Sequence, residues 1–194
     1  MIVLEGLPAL SPFRRDRLQS RLRQIVPELR ITGSWHVYFV QPEPAAAPAL
    51  DALGRILEGC PSQSVPAEGT VSRFVTPRLG TLSPWASKAT EILQGAGHAV
   101  KRVERGLRLD LAELPEAGDP RWPALNRALF DPMTQSLLET REQAAALFIE
   151  AAAGALERIP LAQLDEADAR LGLAFSPDEL DYLRLRYGEL GRDL

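Results

Sequence analysis

The chain has 194 residues, a formal net charge of −4, 45% hydrophobic residues and one cysteine, Cys60. That apolar content suffices for one large or two small globular domains, while the acidic balance excludes a nucleic-acid binder whose whole surface is basic. A lone cysteine excludes an internal disulfide.

The start, MIVLEGLPAL, is interrupted by Glu5, Gly6 and Pro8 and lacks signal-peptide form. No apolar run approaches the roughly 20 residues that span a bilayer. The expectation is a cytoplasmic protein with neither membrane nor nucleic acid as partner. Ile2, Val3 and Leu4 read as a short strand. Ser11 and Pro12 then open a helix, the serine capping and the proline taking a position that needs no N–H. Phe13, Leu18, Leu22, Ile25 and Leu29 fall near one face of it, and Arg14, Arg15, Arg17, Arg21 and Arg23 make a solvated face. Pro27 ends or bends it.

RITGSWHVYFVQ, from Arg30, is one strand or two short ones, with Gly33 and Ser34 allowing a bulge or a hairpin. His36 within it has no cysteine or carboxylate at metal-ligand spacing and reads as structural. QPEPAAAP is a connector, Leu50, Leu53, Ile56 and Leu57 mark a helix, and GCPSQSVPAEG is a loop. Cys60 lacks the glycine-flanked elbow and the histidine and acid partners of a nucleophile, so it reads as an inert thiol.

Val71, Phe74 and Val75 form the next strand, which runs into TPRLGTLSPWASKATE, residues 76–91. Ser83 before Pro84 caps a helix with Trp85, Ala89, Ile92 and Leu93 at helical spacing, closed by Gly95 and Gly97. The order is strand, Arg-x-Gly turn, helix start. Such a junction gathers free N–H groups at the positive end of the helix dipole, with Arg78 and Lys88 nearby, and is either an ordinary cap or an anion site. AVKRVERGLRLDL, from Ala99, is two strands turning at Arg105-Gly106 or one bent strand. A helix with Trp122, Leu125, Leu129 and Phe130, opened by Asp119 and Pro120, and a last strand within Met133–Glu139 follow.

The second half thus reads βαββαβ and the first half similarly, each with a Ser-Pro cap on its first helix. The expected fold is α+β: two ferredoxin-like halves, about 1–62 and 63–140, packed as a pseudo-dimer, then a helical region over 141–194. That tail is alanine-rich up to Pro160, and a capping box at Ser176 and Glu179 opens its final helix.

Residues 76–91 resemble TPRPGTISPWSSKATD, a segment near the N-terminus of large-type phosphoribosylformylglycinamidine synthase, or formylglycinamide ribonucleotide amidotransferase. The shared positions are Thr76, Pro77, Arg78, Gly80, Thr81, Ser83, Pro84, Trp85, Ser87, Lys88, Ala89 and Thr90. Leu79 replaces a proline, Leu82 an isoleucine and Ala86 a serine. RLGLAFSPDELDYLRLRYGELGRD, near the end, resembles the start of that family's linker region.

The resemblance implies an N-terminal region like two copies of the family's separate small subunit, then the beginning of the linker. The family's ATP- and magnesium-dependent carbon–nitrogen ligases make an amidine from formylglycinamide ribonucleotide with ammonia from glutamine. This stretch has no glycine-rich P-loop, no cluster of acidic magnesium ligands and no glutaminase constellation, so it is expected to be inactive alone and to need no cofactor. Its expected partners are the enzyme's synthetase and glutaminase domains, and Arg78, Thr81, Ser83 and Lys88 are the candidate interface or anion-binding residues. The alternative is a stand-alone regulatory module that binds a small anionic ligand.

Overall fold

The runs of β-branched and aromatic residues become strands and the Ser-Pro sites become helix starts. In the computed structural model, which describes residues 1–44, 49–61, 66–150, 154 and 157–194, one compact unit spans Met1–Ala151 and another Ala152–Leu194. Parts of the QPEPAAAP connector, of the loop after Cys60 and of the alanine-rich stretch lie outside the described residues. The first unit runs β1 (Ile2–Pro8), α1 (Pro12–Arg23), β2 (Arg30–Pro42), α2 (Leu50–Leu57), β3 (Cys60–Pro61), β4 (Thr70–Pro77), α3 (Pro84–Gly95), β5 (Val100–Ala112), α4 (Trp122–Leu129) and β6 (Gln135–Leu138). All six strands join one antiparallel sheet in the order β3-β1-β2-β5-β4-β6.

β2 and β5 are the long central pair, in register from Arg30 opposite Ala112 to Pro42 opposite Val100. The fold class α+β stands, but neither long strand folds back as a hairpin. Each half therefore supplies three strands among the described residues, where a βαββαβ unit has four. Gly106 serves packing rather than turning: a Cβ on it would lie 3.0 Å from the Phe39 ring and 3.0 Å from the Val75 carbonyl oxygen. Gly33 is likewise inside β2, at a bulge after Ile31.

Side-chain alternation divides the sheet into two unlike faces. One carries the α-helices. There Leu22 of α1 and Leu125, Ala128 and Leu129 of α4 close over Leu109 and Leu111 of β5. Leu53 and Leu57 of α2, with Leu93 of α3, close over Leu4, Tyr38, Val40 and Val103. Each cluster thus joins the first helix of one half to the second helix of the other. On the opposite face Val37, Phe39, Phe74 and Leu138 meet Ala144 and Leu147 from a 3-10 helix, Glu142–Phe148.

That packing alters two expectations. Residues 141–148, read as the opening of the helical tail, belong to the sheet unit, because burying Ala144 and Leu147 outweighs continuing an exposed alanine helix. Phe13 and Ile92, placed on the apolar faces of their helices, are 75% and 54% exposed. α1 buries only Leu22, since five arginines leave it a narrow apolar stripe.

In the second unit α5 (Leu164–Leu171) ends at Gly172, whose φ of 65° is a left-handed cap, and α6 (Pro177–Glu189) begins with the expected capping box. The Glu179 carboxylate accepts from the Ser176 N–H at 2.8 Å. Backbone bonds in both directions between Ile159 and Leu194 tie the ends of this unit together. Among the described residues no helix is long and apolar enough to cross a membrane.

Because the central ladder leaves no room at Gly106, Gly106→Val is expected to cost about 1–3 kcal/mol through overpacking. Urea unfolding of the chain, read by circular dichroism, checks this.

Candidate functional site

β4 ends at Pro77 and the chain turns at once, because Gly80 takes a φ of 80° that side chains disfavour. The turn is pinned at each step. The Arg78 N–H donates to the Thr134 carbonyl at 2.9 Å, and the Leu79 N–H to Ser136 Oγ at 3.2 Å. Thr81 Oγ1 donates to the Arg78 carbonyl at 2.6 Å. Ser83 then caps α3, its Oγ accepting from the Ala86 N–H at 3.0 Å.

The same Ser83 hydroxyl donates to Glu104 Oε2 at 2.7 Å, and the Ser83 N–H donates to Glu104 Oε1 at 3.3 Å. Glu104, on β5, has no exposed surface. Arg102, two residues away on the same face, donates to Glu104 Oε1 through Nε at 3.1 Å and to the Thr81 carbonyl through Nη2 at 2.6 Å. Its guanidinium lies 5.7 Å from the Phe148 ring centroid. The place for an anion at the positive end of α3 is therefore filled by the chain's own carboxylate. One ion pair, with its carboxylate fully buried and its arginine partly so, joins turn, helix start and sheet.

Of the four residues singled out in the sequence, Ser83 points inward and spends its hydroxyl on Glu104 and Ala86. Arg78 and Thr81 are exposed on the turn, linked through the Thr81 hydroxyl. Lys88 stands apart on α3 and pairs with Glu91 at 2.9 Å, both side chains about 70% exposed. On the turn's outer side Leu79 and Leu82 are 36% and 58% exposed.

Glu104 and Arg102 were not singled out. The signal lay in RVERGLRLD, where Arg102, Glu104, Gly106, Arg108 and Asp110 recur at every second position. A polar row of that period reads as a solvated face. Here it is buried from Glu104 onward, and further along it the Arg108 guanidinium bonds both Asp110 oxygens, at 2.8 and 2.9 Å, and both Glu5 oxygens, at 3.1 and 3.2 Å. Ser72 Oγ completes this group by donating to Asp110 Oδ1 at 2.6 Å.

On the helix face Trp85 stacks on Tyr38, ring centroids 5.9 Å apart, and the Arg105 guanidinium lies 4.9 Å from the Trp85 ring centroid. Burial, reinforced by Arg105, lowers the His36 pKa below its ordinary 6.5. Among the described residues no group of three His, Cys, Asp or Glu side chains is arranged to hold a metal ion.

A family model described as formylglycinamide ribonucleotide amidotransferase N-terminal matches residues 35–148, well over half the chain. The chain belongs to that family. The match starts in β2, takes in the turn and cap, Glu104 and the whole β5 row, and stops where the 3-10 helix over Phe39 ends. This amidotransferase acts in purine biosynthesis, so the unit described here is part of the architecture of that enzyme family.

Two outcomes follow from the Arg102–Glu104 pair and from His36. Glu104→Gln should destabilise the chain by about 3 kcal/mol, since Arg102 loses its counter-charge, whereas Ser83→Ala should cost about 1 kcal/mol. Combining them should cost less than the sum, which denaturant melts of the single and double variants will measure. A histidine with a depressed folded pKa contributes stability above its unfolded value and loses it as pH falls. Unfolding midpoints should therefore drop as pH falls below the ordinary histidine value of 6.5, and His36→Gln should flatten that part of the profile.

Proposed function

We propose that the sheet unit is a non-catalytic scaffold of a formylglycinamide ribonucleotide amidotransferase, packed against the synthetase and glutaminase domains of the parent enzyme and keeping their two active sites in register. The parent is an ATP-dependent carbon–nitrogen ligase: ATP activates the amide oxygen of formylglycinamide ribonucleotide, and ammonia from glutamine displaces it, leaving the amidine, ADP, phosphate and glutamate. ATP and magnesium act in the synthetase domain. Ammonia that escapes to bulk water is protonated and ceases to be a nucleophile, so transfer requires a sealed route whose walls do not shift.

The observation that carries this reading is the turn at residues 78–82. It is fixed from below by the Arg102–Glu104 pair, yet it presents Leu79 and Leu82 to the outside beside Arg78 and Thr81. Apolar side chains on a rigid, polar-rimmed turn suit a contact surface better than a solvated loop. Support for treating the two halves as repeats packed as a pseudo-dimer comes from the element order βαβαβ in each and from a strand order that reads the same when the halves are exchanged.

In the complete enzyme, Leu82→Asp and Arg78→Ala should depress glutamine-driven turnover more than turnover fed with free ammonium. Steady-state assays with each nitrogen source measure the difference. Equal loss with both sources would remove the coupling role.

A further inference from the structure

β6 pairs only with Phe74–Pro77 of β4, and the chain leaves the sheet at Glu139. Next to the part of β4 that this leaves uncovered lies a cavity of about 690 Å³. Its volume is that of a small-molecule site. Val71, Leu114, Trp122, Phe130 and Leu137 make its walls apolar, and three polar side chains line it: Arg73, Asn126 and Glu139.

Asn126 and Glu139 keep their whole side-chain bonding capacity, and Arg73 keeps part of it. The Arg73 guanidinium lies 5.9 Å from the Trp122 ring centroid and donates through Nη1 to the Ser72 carbonyl at 3.1 Å. Its Nε and Nη2 have no partner among the described residues, and the same holds for the Glu139 carboxylate and the Asn126 amide. Arg73 and Glu139 do not pair with each other. Phe74 is the residue opposite Leu138, so their neighbours Arg73 and Glu139 leave the ladder at the same end of it. A half-open, largely apolar cleft with an unpaired carboxylate and amide and a partly engaged guanidinium complements a small molecule with both charges on its head and an apolar body.

We propose that this cavity binds a free α-amino acid with a large apolar side chain. Arg73 holds the α-carboxylate, Glu139 holds the α-ammonium, and the side chain enters between Trp122 and Phe130 with Asn126 at its polar margin. The site is separate from the turn at residues 78–82 and does not depend on the coupling role.

The probe is L-phenylalanine, titrated into the whole chain and followed by calorimetry and amide chemical shifts. Saturable one-to-one binding is expected, with shifts centred on Arg73, Asn126 and Glu139. N-acetyl-L-phenylalanine and L-phenylalaninamide, each lacking one charge, should bind at least about tenfold more weakly. Arg73→Gln should weaken L-phenylalanine while leaving L-phenylalaninamide unchanged, and Glu139→Gln should weaken it while leaving N-acetyl-L-phenylalanine unchanged. The wild-type comparison of the three ligands stands even if a variant fails to fold. Absence of saturable binding by L-phenylalanine, L-leucine and L-tryptophan alike overturns the proposal. So does equal binding of the doubly blocked N-acetyl-L-phenylalaninamide, which would mark a generic apolar cleft or a place for an added peptide strand.

Discussion

The structure of the sheet unit turns on one constraint: β5 runs through the middle of the sheet with charged side chains on the face that the α-helices do not cover. Ionised groups that lose water must find partners inside the protein. Here they do so in two groups. Arg108 closes on Asp110 and Glu5, linking β5 to β1, with Ser72 of β4 bonded to the same carboxylate. Arg102 closes on Glu104, which reaches the start of α3. The register of the central strands is therefore set by charge as well as by apolar packing, because a slip of one residue would turn Glu104 and Arg108 into the helix-side core.

This constraint reaches the surface through Ser83. A serine cap ordinarily closes a helix by itself, and its loss is a local event. In this fold the cap hydroxyl is also the donor to a fully buried carboxylate, whose arginine partner holds the preceding turn by the Thr81 carbonyl. Turn, cap and sheet behave as one piece. That is a suitable foundation for a docking surface, since contact residues held in place before binding lose little freedom on association.

Much of this was legible in the chain. Both Ser-Pro caps, the capping box at Ser176, the ends of α3 and the long apolar and aromatic run of β2 are local chemistry, decided by residues a few positions apart. The resemblance in residues 76–91 led to the family for the same reason, as a contiguous motif. What misled was also local. Gly106 after Arg105 has the look of a turn, yet its missing side chain is used by Phe39 and the Val75 carbonyl, neither of them near in sequence. Alternating charge on β5 has the pattern of a half-solvated strand, and nothing in its own stretch tells that Phe148 and Trp35 lie over Arg102 and Arg108. The alanine-rich stretch has the composition of a solvated tail, yet Ala144 and Leu147 at its start pack in one cluster with Phe39.

The sequence by itself determined where α1, α3 and α6 begin, which stretches are extended, and the family to which the chain belongs, because capping, β propensity and a contiguous motif act over a few residues. The tertiary structure alone decided that the charged row of β5 is buried from Glu104 onward, that Glu104 occupies the helix start where an external anion was conceivable, and that Arg73, Asn126 and Glu139 share a cavity. Those outcomes depend on which distant segments cover a strand, and burial changes the meaning of a charge from solubility to internal pairing.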